Sequence, residues 1–252
     1  MMGWRARLGF LVPPGNPTVE PEMMQLAPQG VSVHFSRLVA SGPTGTPEGQ
    51  EERQRSYLHH IDQSTALLAL VQPQVIVLAH TASSYALSPE AETQLLARLE
   101  ATSGSRVITA AGAVLRALAC LGVRQIALAT PYPEAISRQG KAYLEAHGLK
   151  VVGYGRLEGV RNIYEETAAR AYGLARQVDT PDAEAIVISG TGLPTLPVLD
   201  LLERDLGKPV LSSATAMMWL ALRTARIGQT IAGYGRLLAT GEDGAIRGHD
   251  GH

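Results

Sequence analysis

Short, unbroken apolar runs alternate with segments of helical periodicity along the whole chain, and this alternation constrains the fold more than any other feature. The runs cover residues 7–12, 31–38, 75–79, 107–110, 125–130, 151–157, 185–189 and 209–212. A run such as Val75-Ile76-Val77-Leu78-Ala79 has no polar side. As a strand it must be covered on both faces, which is the condition of a parallel sheet between layers of helices. Amphipathic stretches at 51–71, 133–147, 163–178 and 196–206 are long enough to be the crossover helices such a sheet requires. Gly148 and Gly207 stand where helix-ending glycines belong. The fold class is α/β.

The eight runs fall into two sets of four that resemble each other. Arg7-Leu8-Gly9-Phe10-Leu11-Val12-Pro13 matches Gln125-Ile126-Ala127-Leu128-Ala129-Thr130-Pro131. Val75-Ile76-Val77-Leu78-Ala79-His80-Thr81-Ala82 matches Ala185-Ile186-Val187-Ile188-Ser189-Gly190-Thr191-Gly192, and Arg106-Val107-Ile108-Thr109 matches Pro209-Val210-Leu211-Ser212. The order of the matches is kept while their spacing drifts, as when only connecting loops differ. Two similar four-stranded parallel sheets flanked by helices and facing each other are therefore expected. Residues 1–113 would form the first half, completed by a C-terminal helical segment at about 214–240, and residues 114–213 the second. A glycine-rich tail, 241–252, carries His249 and His252 and is expected to be flexible.

Composition removes several classes of function. A formal net charge of −1 supplies no basic excess for nucleic acid or an anionic membrane surface. The longest apolar stretches are strand-sized, below the roughly 18 residues that span a bilayer, and the N-terminus lacks the pattern of a leader peptide. A cytoplasmic protein is expected. The one cysteine, Cys120, lies on an apolar helix as an expected core residue and cannot form an internal disulfide or a familiar zinc site.

In open parallel sheets ligands bind beyond the carboxyl ends of the strands. Those ends carry Pro13-Pro14-Gly15-Asn16, His80-Thr81-Ala82-Ser83-Ser84, Thr130-Pro131-Tyr132, Gly190-Thr191-Gly192 and Ser212-Ser213. Small hydroxyls, glycines and an amide place backbone N–H groups at helix N-termini, where an anion is favoured without any arginine. A small carboxylate is the natural guest. Taken one at a time, the same residues also serve as caps and tight turns; their recurrence on matching strand ends argues for a site. Glu20 and Glu22 are expected on the solvated first turn of a helix, and His59 and His60 on a solvent face.

The residues resemble a known family over nearly the full length. The motifs are Leu11-Val12-Pro13-Pro14-Gly15-Asn16-Pro17-Thr18-Val19-Glu20-Pro21, the stretch from Gly122 to Tyr132, Ile188-Ser189-Gly190-Thr191-Gly192-Leu193-Pro194, and the stretch from Leu202 to Ser213. Together they are similar to the maleate cis–trans isomerase and arylmalonate decarboxylase branch of the aspartate/glutamate racemase superfamily. The resemblance implies two Rossmann-like domains about a pseudo-dyad, with a cleft that acts on small acids without cofactor or metal. It also implies a homo-oligomer, a dimer or tetramer. Family members use cysteine thiols after the third strand of one or both halves, to add to a double bond or to carry a proton to a carbanion. Here those positions are His80 and Gly190. The binding positions match better: Asn16, Tyr132 and Ser213 correspond to substrate-holding residues, and Thr81, Thr191 and Gly192 stand in the donor loops; Pro14, Ala82 and Gly190 are expected to bind substrate beside them.

The expected catalytic set is thus His80, Tyr132 and Thr191. An imidazole at position 80 would ionise near neutral pH and exchange a proton in the cleft. Tyr132 would donate a hydrogen bond or a proton, and Thr191 would use its amide and hydroxyl to hold a carboxylate. Three functions fit: a thiol-free isomerase or decarboxylase-like enzyme on a small (di)carboxylic acid, a proton-transfer or hydrolytic enzyme using His80, and a carboxylate-binding protein without catalysis.

Overall fold

Every expected apolar run becomes a strand, with each boundary within one residue of the expected one. The computed structural model describes residues 2–43 and 47–240. Strands β1 (Ala6–Val12), β2 (Val31–Arg37), β3 (Val75–Leu78) and β4 (Arg106–Thr109) pair in parallel in the order β2-β1-β3-β4. Strands β5 (Gln125–Thr130), β6 (Lys150–Arg156), β7 (Ala185–Ile188) and β8 (Val210–Ser212) repeat this as β6-β5-β7-β8. All side chains of β3 and β7 are buried, as their unbroken apolar sequence requires.

The helices are α1 (Val19–Leu26), α2 (Pro47–Ala69), α3 (Thr81–Tyr85), α4 (Pro89–Ser103), α5 (Ala110–Cys120), α6 (Glu134–Ala146), α7 (Ala168–Val178), α8 (Leu199–Leu206), α9 (Ser213–Thr224) and α10 (Arg236–Ala239). Local chemistry sets their ends. The hydroxyls of Ser88, Thr109, Thr167 and Ser212 accept amide hydrogen bonds at the starts of α4, α5, α7 and α9. Gly104 and Gly207 close α4 and α8 in the left-handed conformation. Alanine-rich α5 packs closely on α9, and α9, leaving β8, also packs against β3 and β4 of the first sheet. Its residues from Ser213 to Leu222 are all buried. Cys120, expected in the core, is half-buried on the last turn of α5 and packs against the main cluster from its edge.

Two local expectations are corrected. The helix expected at 163–178 is broken. A 3-10 turn, Ile163–Glu165, ends before α7, because Asn162 and Thr167 each cap a separate start through bonds from the Tyr164 and Arg170 amides. Glu22 is not solvated; it is buried on the inner face of α1. His59 and His60 are exposed as expected. The tail with His249 and His252 lies outside the described residues. No described helix is long and apolar enough to cross a membrane.

Candidate functional site

Both sheets reverse their strand order between the first and third strands, which opens a crevice beyond the carboxyl ends of β1 and β3 and again beyond β5 and β7. The four loops from those ends meet at one cavity of about 400 Å³, a size suited to a small ligand. Asn16 follows β1, His80 follows β3, Tyr132 follows β5, and Thr191 and Gly192 follow β7; all five line it.

The walls are stitched across the two sheets. Asn16 Nδ2 donates to the Thr191 carbonyl (3.1 Å), and its Oδ1 accepts from the Thr18 and Val19 amides. Thr18 Oγ1 donates to the Gly192 carbonyl (3.0 Å). Thr191 Oγ1 donates to the Ala79 carbonyl (2.9 Å), so this hydroxyl proton is not available to a ligand, contrary to expectation, and the Thr191 amide donates to the Tyr132 hydroxyl. Tyr132 Oη and Thr81 Oγ1 share a hydrogen bond of 2.9 Å, and Tyr85 Oη and Ser189 Oγ one of 2.7 Å.

Thr81, Ala82 and Gly190 stand behind the wall and support Tyr132: Ala82 packs on its ring, and a Cβ at Gly190 would lie 3.5 Å from its hydroxyl. Pro14 is exposed and Ser213 is buried at the start of α9, and neither lines the cavity. Their motif positions alone do not bring them to it.

His80 departs most from expectation. Its Nδ1 lies 2.8 Å from Ser83 Oγ, and its ring stands edge-on to Tyr57 with centroids 4.9 Å apart. Burial first, and the Arg53 charge second, lower its pKa to about 4. The imidazole is therefore neutral at physiological pH, with its lone pair free of a proton but less basic than in water, and it cannot donate a proton as the resting acid. Burial likewise pushes the Tyr132 hydroxyl far above the usual tyrosine range, so Tyr132 is a neutral donor.

Several lining residues were not evident in sequence, among them Arg53 and Tyr57 from α2, Tyr164 from the 3-10 turn, and Glu134, Arg156 and Arg161. Arg53 and Tyr57 are one helical turn apart and share a face. Tyr164 enters because the chain breaks before α7, and its ring rests where a Cβ at Gly192 would come within 2.9 Å. The capping residues Asn162 and Thr167 are the signal that marked that break.

Beside the cavity, Glu22 Oε1 accepts from the amides of Thr195 (2.8 Å) and Leu196 (3.2 Å), fixing the chain that follows Gly192 onto α1. Burial outweighs these bonds and raises its pKa from 4.5 to about 7. A raised acid contributes stability that is full below pH 4.5 and is lost as pH climbs through about 7. Glu22→Gln keeps the acceptor and removes the charge. Its stability relative to the wild type should therefore rise between about pH 5 and about pH 8, by up to about 3 kcal/mol. Urea denaturation at both values checks this, and an equal difference at both contradicts it.

Fold and site together define a two-sheet α/β protein with a small-ligand-sized cavity at paired switch points. The sequence matches the arylmalonate decarboxylase family over residues 8–238. The chain is 30% identical to the maleate isomerase of Nocardia farcinica, over 97% of this chain and 99% of that one. It is also 30% identical to the arylmalonate decarboxylase of Bordetella bronchiseptica, over 91% and 95%. The structure superposes with a TM-score of 0.82, at 30% identity and over 93% and 98% of the chains, on a Cys-to-Ser variant of the Nocardia farcinica maleate cis–trans isomerase with a covalently bound succinylcysteine intermediate. The chain belongs to the arylmalonate decarboxylase family.

Proposed function

We propose that this protein is a cofactor-independent enzyme of the isomerase or decarboxylase type. It binds a small carboxylic acid in the cleft between the sheets and moves a proton at the carbon next to the carboxylate without a thiol. The observation that carries this reading is a neutral, buried imidazole at position 80, in a cavity whose other walls carry the Thr191–Gly192 loop and the hydroxyl of Tyr132, onto which the Thr191 amide donates. His80 takes the proton from carbon, the C–H electron pair passes into the carboxylate as an enediolate, and the donors hold the developing charge. Return of the proton to the other face gives an isomer. In a decarboxylation the C–C pair takes the same path as carbon dioxide leaves, and the new C–H proton comes from solvent. Thiol addition to a double bond is not open to this chain at positions 80 and 190.

Malonate, maleate or succinate should raise the melting temperature by an amount that follows RT ln(1 + [L]/Kd). Turnover assays with the same acids and an arylmalonate separate enzyme from binder. Stabilisation without turnover or proton exchange would favour the non-catalytic reading; no stabilisation at tens of millimolar would end the carboxylate reading.

A further inference from the structure

The cleft carries a charge pattern that the strand-end loops do not explain. Its lining includes three guanidiniums, Arg53, Arg156 and Arg161, against one carboxylate, Glu134, in a molecule with a net charge of −1. Arg156 is bonded to Glu134 at 2.9 Å, and Arg161 is exposed at the rim. Arg53 differs from both. It is half-buried, no described carboxylate pairs with it, and its side chain bonds the Pro43 carbonyl and Tyr57. Tyr57, one turn along α2, places its ring edge-on against His80, and its hydroxyl interacts with that of Tyr164. A cation and two phenolic hydroxyls thus stand together on the α2 side of the cavity. The Thr191 and Gly192 amides belong to the β7 loop, and His80 also lines the cavity.

We propose that Arg53 is the specificity-determining residue of this cleft: it receives the second acidic group of a dianionic ligand. The proposal rests on the carboxylate-binding reading above and adds a second pole to it. A guanidinium presents paired donors that match a carboxylate, and a charge-assisted pair of this kind is worth about 10–100-fold in affinity when partly shielded from water. Ser83 from α3 and Tyr57 from α2 stand against His80, and Arg53 acts on it by its charge; Tyr132 after β5 and Tyr164 from the 3-10 turn line the same cavity, and Arg156, Arg161 and Glu134 complete the charged lining. Arg53 is the charge that acts on His80, and its field opposes protonation. An anion seated on Arg53 cancels that field. Burial, the larger cause of the lowering, remains, so the acid limb of kcat would lie at higher pH than that of kcat/KM but still below neutrality.

The test compares succinate with butyrate, which replaces one carboxylate by a methyl group at the same chain length, on wild type, Arg53→Gln and Arg53→Lys. Calorimetry reads affinity, and NMR titration of the His80 ring, assigned with His80→Gln, reads its ionisation. In Arg53→Gln, succinate affinity should fall about 10–100-fold with butyrate within about twofold. The ligand-free His80 should titrate about one pH unit higher. Arg53→Lys, which keeps the charge, should hold the low titration of His80 and most of the preference for succinate. Equal losses for both acids, or no loss, would overturn the specificity role, and an unmoved His80 would overturn the coupling. If neither acid binds the wild type, the carboxylate reading itself has failed; the His80 titration still decides whether Arg53 controls it.

Discussion

Replacing His80 by glutamine should lower kcat by about 10²–10⁴-fold while changing ligand affinity little. Glutamine is polar and of similar reach but cannot take a proton. The pH profile gives the sign. A base must be neutral to act, and His80 in the free protein has a pKa of about 4. Wild-type kcat/KM should therefore rise as pH climbs through about 4 and stay level across neutrality as far as His80 controls it. His80→Gln should show no such limb. Equal losses of rate and affinity would make His80 a positioning residue. No change in either would remove it from the site and favour a protein that binds without catalysis.

Introducing the family's thiol in the second half should damage the protein rather than repair it. Gly190 has φ +95°, and a Cβ built there lies 2.7 Å from Pro131 Cγ and 3.0 Å from its Cδ. The left-handed backbone costs a non-glycine residue about 1–2 kcal/mol, and forcing the β5–α6 turn aside adds about as much again. Gly190→Cys should then lose about 2–4 kcal/mol in denaturant unfolding, as should Gly190→Ala, which separates backbone strain from thiol chemistry. The Tyr132 hydroxyl, 3.5 Å from that Cβ, would be in ordinary contact with it. Wild-type stability with new thiol-dependent turnover would mean that this loop accepts the family arrangement, and that its glycine is a simple deletion of function.

The strands were legible because burial on both faces leaves no choice of residue type: β3 and β7 read as apolar runs and are buried throughout. The doubling was legible because matched strand ends share small residues and prolines. The cavity lining was legible where it comes from those ends, at Asn16, His80, Tyr132, Thr191 and Gly192. It was not legible where tertiary packing brings in residues from elsewhere. Arg53 and Tyr57 belong to a long polar helix whose pattern does not reveal which face meets a cleft. Tyr164 depends on a break between two capping residues inside a periodic stretch. Glu22 looked solvated because charge near a helix start is ordinarily exposed. It is buried because the amides of Thr195 and Leu196 need an acceptor. The ionisation of His80 was misjudged for a related reason: a sequence shows an imidazole but neither its burial nor the guanidinium whose field reaches it.

A crystal structure of the protein soaked with succinate would test the reading most directly. One carboxylate should lie within hydrogen-bond distance of the amides of the Thr191–Gly192 loop, the other against Arg53, with the intervening carbons facing the His80 ring. A succinate bound elsewhere on the surface, with this cavity holding only water at saturating ligand, would contradict both the site and the role given to His80.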